Sequence, residues 1–101
     1  MQFLVTILDG TDAEAPARRA ATRPAHLAGL TDNVANGKLV FGGPIFNDAQ
    51  QPIGSFIVAE CKDRAELDAM IANDPYTKGN VWQKVEVKPT RLVVQNGTVT
   101  P

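Results

Sequence analysis

The sequence predicts an α+β fold in which two helices cover one face of an antiparallel sheet, and three observations lead to it. Strand-like and helix-like stretches alternate in the order β-α-β-β-α-β, followed by one short strand. Two of the strands are apolar on both faces, so they belong at the centre of a sheet with something over each side. A chain of 101 residues with ten basic and eleven acidic side chains has the size and balance of one domain that buries its own core.

The first strand spans residues 2–8, with Phe3, Val5 and Ile7 pointing one way and Leu4 and Leu8 the other. Asp9-Gly10 ends it. Thr11-Asp12-Ala13-Glu14 has the Thr-x-x-Glu pattern of a capping box, in which side chains satisfy the first free N–H groups of a helix. The helix is therefore expected to start near residue 12 and to run to Asn36-Gly37, a favourable stop. Its inward stripe reads as Ala17, Ala20, Pro24, Leu27, Leu30 (with Thr31) and Val34. Pro24 removes one helical hydrogen bond and crowds the carbonyl of Ala20, at a cost of about 3 kcal/mol. The helix either kinks there or restarts with Pro24 in its first turn.

Residues 38–42 form the second strand, with Gly42-Gly43-Pro44 as a turn, and the polar residues 46–52 form a hairpin loop. The third strand runs from Ile53 to Glu60, with Ile53, Ile57 and Ala59 opposite Phe56 and Val58. Asp63-Arg64-Ala65-Glu66 opens a short helix that turns Leu67, Met70 and Ile71 inward. Asn73-Asp74-Pro75 stops it, because a residue before proline is pushed out of the helical region, and residues 77–80 are a loop. Val81 to Val87 is a strand with Val81, Val85 and Val87 opposite Trp82, Lys84, Glu86 and Lys88. Pro89 ends it, and Arg91–Gln95 is a short edge strand. Residues 1–95 thus make a single domain and 96–101 a loose C-terminal tail.

This order is the split-βαβ, ferredoxin-like arrangement. In a monomer of that kind the face away from the helices is polar, whereas here it would carry Leu4, Leu8, Phe56 and Val58. The expected cover is a second copy of the sheet, giving a homodimeric α/β-barrel; folding of the C-terminal tail over that face is the alternative.

Composition excludes several function classes. A net charge of −1 with no Lys/Arg stripe argues against nucleic acid as a partner. The apolar N-terminal run lacks a basic leader and is too short to span a membrane, so no membrane partner and a cytoplasmic location are expected. Cys61 is the only cysteine and His26 the only histidine, so neither an internal disulfide nor a protein-only zinc site is expected. Cys61 beside Lys62 is either a mildly activated thiol or a small residue at a strand end. No glycine-rich phosphate loop occurs, and no cofactor is expected.

The candidate site centres on Arg19-Ala20-Ala21-Thr22-Arg23-Pro24-Ala25-His26-Leu27. At about 100° per residue, Arg19 and Arg23 share a helical face with His26. Asp74, far away in sequence, is a carboxylate in a turn, which is ordinary chemistry before a proline unless the fold brings it to the histidine. Arg19 and Arg23 read either as a solvated face or as substrate ligands. Tyr76 is either a core aromatic with its hydroxyl at the rim or a donor to substrate.

Three segments, Arg19-x-x-x-Arg23-Pro24-x-His26-Leu27, Gly42-Gly43-Pro44, and Asp74-Pro75-Tyr76 followed by Val85-Glu86-Val87-Lys88-Pro89, resemble the YciI-like (YCII-related) family. The resemblance covers nearly the whole chain. It implies a dimeric α/β-barrel of ferredoxin-like subunits and a His–Asp pair at His26 and Asp74 acting in acid–base catalysis. The family's clearest chemistry is elimination of HCl from a chlorinated hydroxyhydroquinone. It therefore implies a lyase acting on a small aromatic, with Arg19, Arg23 and Tyr76 as substrate ligands. Related barrels include muconolactone-type isomerases, so a proton-shuttling isomerase is one alternative and a non-catalytic ligand-binding domain another.

The residue types suit the chemistry. Histidine as a class exchanges protons near neutrality. A carboxylate on one ring nitrogen fixes the tautomer, and nearby arginines favour a phenolate.

Overall fold

A computed structural model describes residues 1–101. Its main sheet has the antiparallel order β2-β3-β1-β4, built from β1 (Gln2–Asp9), β2 (Leu39–Phe46), β3 (Pro52–Glu60) and β4 (Trp82–Thr90). Helices α1 (Ala15–Ala35), α2 (Arg64–Asn73) and α3 (Pro75–Lys78) complete the ferredoxin-like domain. β1 and β3 are the interior strands, and β1 shows the stricter alternation. Phe3, Val5 and Ile7 are buried, whereas Leu4, Thr6 and Leu8 are exposed. Opposite them across β3 lie Ala59, Ile57 and Ser55, and across β4 Pro89, Val87 and Val85. This face receives Leu67 and Ile71 of α2, with Tyr76, Val81 and Trp82 closing the core. Full burial of one such aliphatic side chain is worth about 1.5–3 kcal/mol.

Several elements differ from the sequence reading, each for a physical reason. The Thr11–Glu14 capping box does not form: α1 begins at Ala15 with Glu14 as a cap that makes no side-chain bond. Pro16 sits in the first turn instead, where its missing N–H costs nothing, and Asp12 is held by both terminal nitrogens of Arg18. The helix runs through Pro24 without restarting. It ends as expected: Gly37 has φ +75°, its N–H donates to the Val34 carbonyl and that of Lys38 to the Asn33 carbonyl, a Schellman pair.

The inward face of α1 is also rotated from the expected stripe. Ala15, Arg19 and His26 are its buried residues; of the expected stripe Leu30 packs partly buried against the core, while Ala17, Ala20, Pro24, Leu27 and Val34 are exposed. Gly42-Gly43-Pro44 is not a turn but the middle of β2. Trp82 is not opposite the valines. β1 advances from Leu8 to Asp9 while its partner steps from Lys84 to Trp82, so Gln83 bulges out and Trp82 turns inward. β4 continues past Pro89 to Thr90, which an edge strand tolerates. Residues 75–78, expected as turn and loop, form α3. Beyond β4, only Val94–Gln95 (β5) of the expected edge strand is extended. It pairs with Thr98–Val99 (β6) around Asn96-Gly97, both at positive φ as a tight hairpin turn requires.

Candidate active site

His26 and Asp74, 48 residues apart, meet under α1. His26 Nδ1 lies 2.7 Å from Asp74 Oδ1, with both side chains nine-tenths buried. Local chemistry aims the carboxylate. Pro75 holds Asp74 extended at φ −67° and ψ 135°, and there Asp74 caps α3 by accepting the Tyr76 N–H at 2.8 Å. One oxygen, Oδ1, therefore serves both the helix cap and the imidazole. Because an ionised carboxylate only accepts, Nδ1 is the donor in this pair, and Nε2 is the ring nitrogen left without a protein partner.

The ring is fixed from its sides as well. Tyr76 stacks on it with centroids 3.8 Å apart and planes 15° apart. Trp82 meets it edge-on at 5.4 Å.

Beside the dyad lies a cavity of about 590 Å³ between α1 and the β2–β3 edge of the sheet. That volume suits a small organic molecule. Arg23, His26 and Leu27 line its helix side, Gly42 and Pro44 its strand side, and Ser55, Tyr76 and Trp82 are among its remaining walls. The outward rotation of Leu27 and Val34 makes them cavity lining rather than core.

The two arginines divide their roles. Arg19 is buried at 7% exposure. Its Nη1 reaches both oxygens of Asp9 at 2.8 and 2.9 Å, and its Nη2 donates to Ser55 Oγ at 3.2 Å. Its guanidinium carbon also lies 4.9 Å from the centre of the Tyr76 ring. Arg19 is thus neither a solvated face nor a free cation. Arg23 is exposed on the cavity wall and makes neither a side-chain hydrogen bond nor an ion pair. The Tyr76 hydroxyl has no protein partner, yet no buried polar atom is left unsatisfied, so it opens on the cavity. Burial pushes this phenol above its ordinary pKa, so it stays protonated as a donor.

Three polar participants escaped the sequence reading. Asp9 continues the inward parity of β1 and neutralises Arg19. Ser55 interrupts the Ile53, Ile57, Ala59 face of β3, and a lone hydroxyl on an apolar strand face was the available signal. Trp82 donates from Nε1 to Ser55 Oγ at 3.1 Å; only the bulge brings it inward. Cys61, by contrast, is buried and its thiol is pushed up by that burial, which makes it an unreactive core residue. No group of three or more His, Cys, Asp or Glu side chains is placed to hold a metal ion. No helix is long and apolar enough to cross a membrane.

Comparison with known proteins bears on the family and the fold. The model of the YCII-related domain matches residues 1–91. The Protein YciI sequences of Escherichia coli O6:H1 and Shigella flexneri are each 33% identical over 97 residues, covering 90% of this chain and 99% of theirs. Among solved structures, 5-chloro-2-hydroxyhydroquinone dehydrochlorinase from Burkholderia phenoliruptrix AC1100, in complex with 2,5-dihydroxybenzoquinone, superposes with a TM-score of 0.77 at 28% identity. That match covers 90% of this chain and 94% of the other.

Proposed function

The chain belongs to the YCII-related domain family, and from that premise we propose that it is a cofactor-independent lyase eliminating HCl from a chlorinated hydroxyhydroquinone. The observation that carries this reading is His26, held 2.7 Å from Asp74, in the wall of a cavity of small-aromatic size. The likeness to a dehydrochlorinase with a dihydroxyquinone in its complex supports the substrate class.

In this mechanism the substrate ring lies against the apolar wall with one hydroxyl at His26 Nε2. Nε2 takes that proton, and the resulting imidazolium stays paired with Asp74. Arg23 supplies the cavity's uncompensated positive charge, because Arg19 is neutralised by Asp9, and so favours the phenolate. The electron-rich ring then takes a proton at the chlorine-bearing carbon, for which His26 is the donor at hand. Chloride leaves with the electron pair of the C–Cl bond as a second hydroxyl proton is lost. Two O–H protons and one chloride depart and one C–H bond forms, so the net loss is HCl and the product a hydroxyquinone. Ring and carbon–chlorine bond exchange the electrons between themselves, and no outside acceptor is called for.

The protein acts, in this reading, as a homodimer whose two sheets cover each other. The test is chloride release from 5-chloro-2-hydroxyhydroquinone, followed with a chloride-selective electrode. Wild-type protein is expected to turn over, and His26→Ala to lose about 10²–10⁴-fold in kcat, the usual worth of general acid–base work. Equal rates in the two proteins would remove His26 from the chemistry.

A further inference from the structure

Ser55 has a hydrogen-bonding capacity that the mechanism above does not use. Its hydroxyl is buried at 4% exposure on the helix-facing side of β3, opposite Ile7. Two donors converge on Oγ, Arg19 Nη2 at 3.2 Å and Trp82 Nε1 at 3.1 Å. A hydroxyl has two acceptor sites and one proton to give, and here both acceptor sites are filled. The proton has no acceptor within the protein, and the residue lines the cavity that His26 opens on.

The two donors are themselves held. Asp9 grips Arg19 through both carboxylate oxygens, and the β-bulge at Gln83 fixes Trp82. Donation into Oγ from a cation also makes its own proton a stronger donor, since hydrogen bonds in a chain polarise one another.

We infer that Ser55 is a substrate-binding and specificity-determining residue: its hydroxyl donates to an anionic ring oxygen, a phenolate or enolate, of the molecule in the cavity. This rests on the proposed phenolic substrate and adds a position for its charge. The ring oxygen that has lost its proton then has two donors, the imidazolium and Ser55 backed by Arg19. A neutral hydrocarbon ring of similar size would leave this proton unpaired in a buried site, so such rings are selected against.

The experiment measures binding of two probes by titration calorimetry across pH. One is 4-nitrophenol, whose visible absorbance reports its ionisation; the other is nitrobenzene, which lacks the oxygen. Wild-type protein is expected to prefer the nitrophenolate over nitrobenzene and to lower the ionisation midpoint of the bound phenol. Ser55→Ala should weaken nitrophenolate about 10- to 100-fold, the worth of a hydrogen bond to a charged group, and leave nitrobenzene unchanged.

A purely structural role for Ser55 would weaken both probes together, and that result overturns the inference. Should Ser55→Ala not fold, Ser55→Cys keeps an acceptor for both donors but is itself a weak donor. It is expected to show the same selective loss. Wild-type preference for the phenolate that survives in the variant overturns the role of Ser55 alone. No phenolate preference in wild type overturns the phenolic-substrate reading together with it.

Discussion

Asp74 Oδ1 receives two hydrogen bonds, and substitution separates them. Asp74→Asn retains an amide oxygen for the Tyr76 N–H but brings no negative charge to the imidazole. It is expected to melt near wild type while chloride release falls by about 10²–10⁴-fold. Asp74→Ala loses the cap as well, about 1 kcal/mol, and should lower Tm by several degrees in calorimetry. Tyr76 offers a second test. Its phenol is raised mainly by burial, with Arg19 and Arg23 pulling the other way. As pH rises past the ordinary tyrosine value of about 10, the unfolded chain releases this proton before the folded one does. Stability present below that pH is then lost as pH climbs toward the raised folded value. Urea midpoints at pH 9 and 11 should drop more for wild type than for Tyr76→Phe. Of the residues with a readable pattern, Arg19, Arg23 and His26 at helical spacing line one cavity, and Asp74 before its proline meets His26 from behind that wall. Asp9 and Ser55 had only strand parity to mark them, and a polar residue at an inward parity position signals a buried partner without naming it.

Elements were legible where local chemistry is decisive and illegible where tertiary contacts choose. Two glycines illustrate the difference. Gly37 stops α1 at φ +75° in open space, a backbone requirement visible in Asn36-Gly37 alone. Gly37→Ala is expected to cost about 1 kcal/mol in urea unfolding. Gly54 has no unusual φ, but a Cβ there would stand 2.2 Å from the Ile7 carbonyl oxygen of β1. Two paired central strands cannot both yield, so Gly54→Ala should cost more than Gly37→Ala, on the order of 1–3 kcal/mol or above. Nothing in the sequence around Gly54 announces that contact. The inward face of α1 departs from its apolar stripe for a related reason. The helix turns its arginine and histidine toward the sheet and leaves Leu27 and Val34 to the cavity. Burying Arg19 is tolerable because Asp9 and Ser55 meet it, and both lie on strands. The register that moved Trp82 was likewise set by a bulge between β1 and β4, a pairing property.

At the scale of the molecule, one face of the sheet has no cover within the chain. Leu4 and Leu8 of β1 are 39% and 42% exposed, and Phe41 on β2 is 37% exposed. Strand register puts Leu4 beside Val58 and Phe41 beside the same valine, so these side chains form one continuous apolar surface. β4 contributes Lys88 and Lys84 opposite Leu4 and Leu8, a charged border rather than a lid. The C-terminal hairpin leaves Leu4, Leu8 and Phe41 open, which removes the tail as an alternative cover. A patch of this composition with a polar margin is what a two-fold interface looks like from one side. Light scattering is expected to give twice the 10.8 kDa chain mass. The double variant Leu4→Lys, Leu8→Lys places like charges on both copies at the centre of the patch and should run as a single chain. Both side chains point away from the helices, so the variant should stay folded in circular dichroism. A single-chain mass for wild-type protein would mean that the face is covered by something other than its own copy.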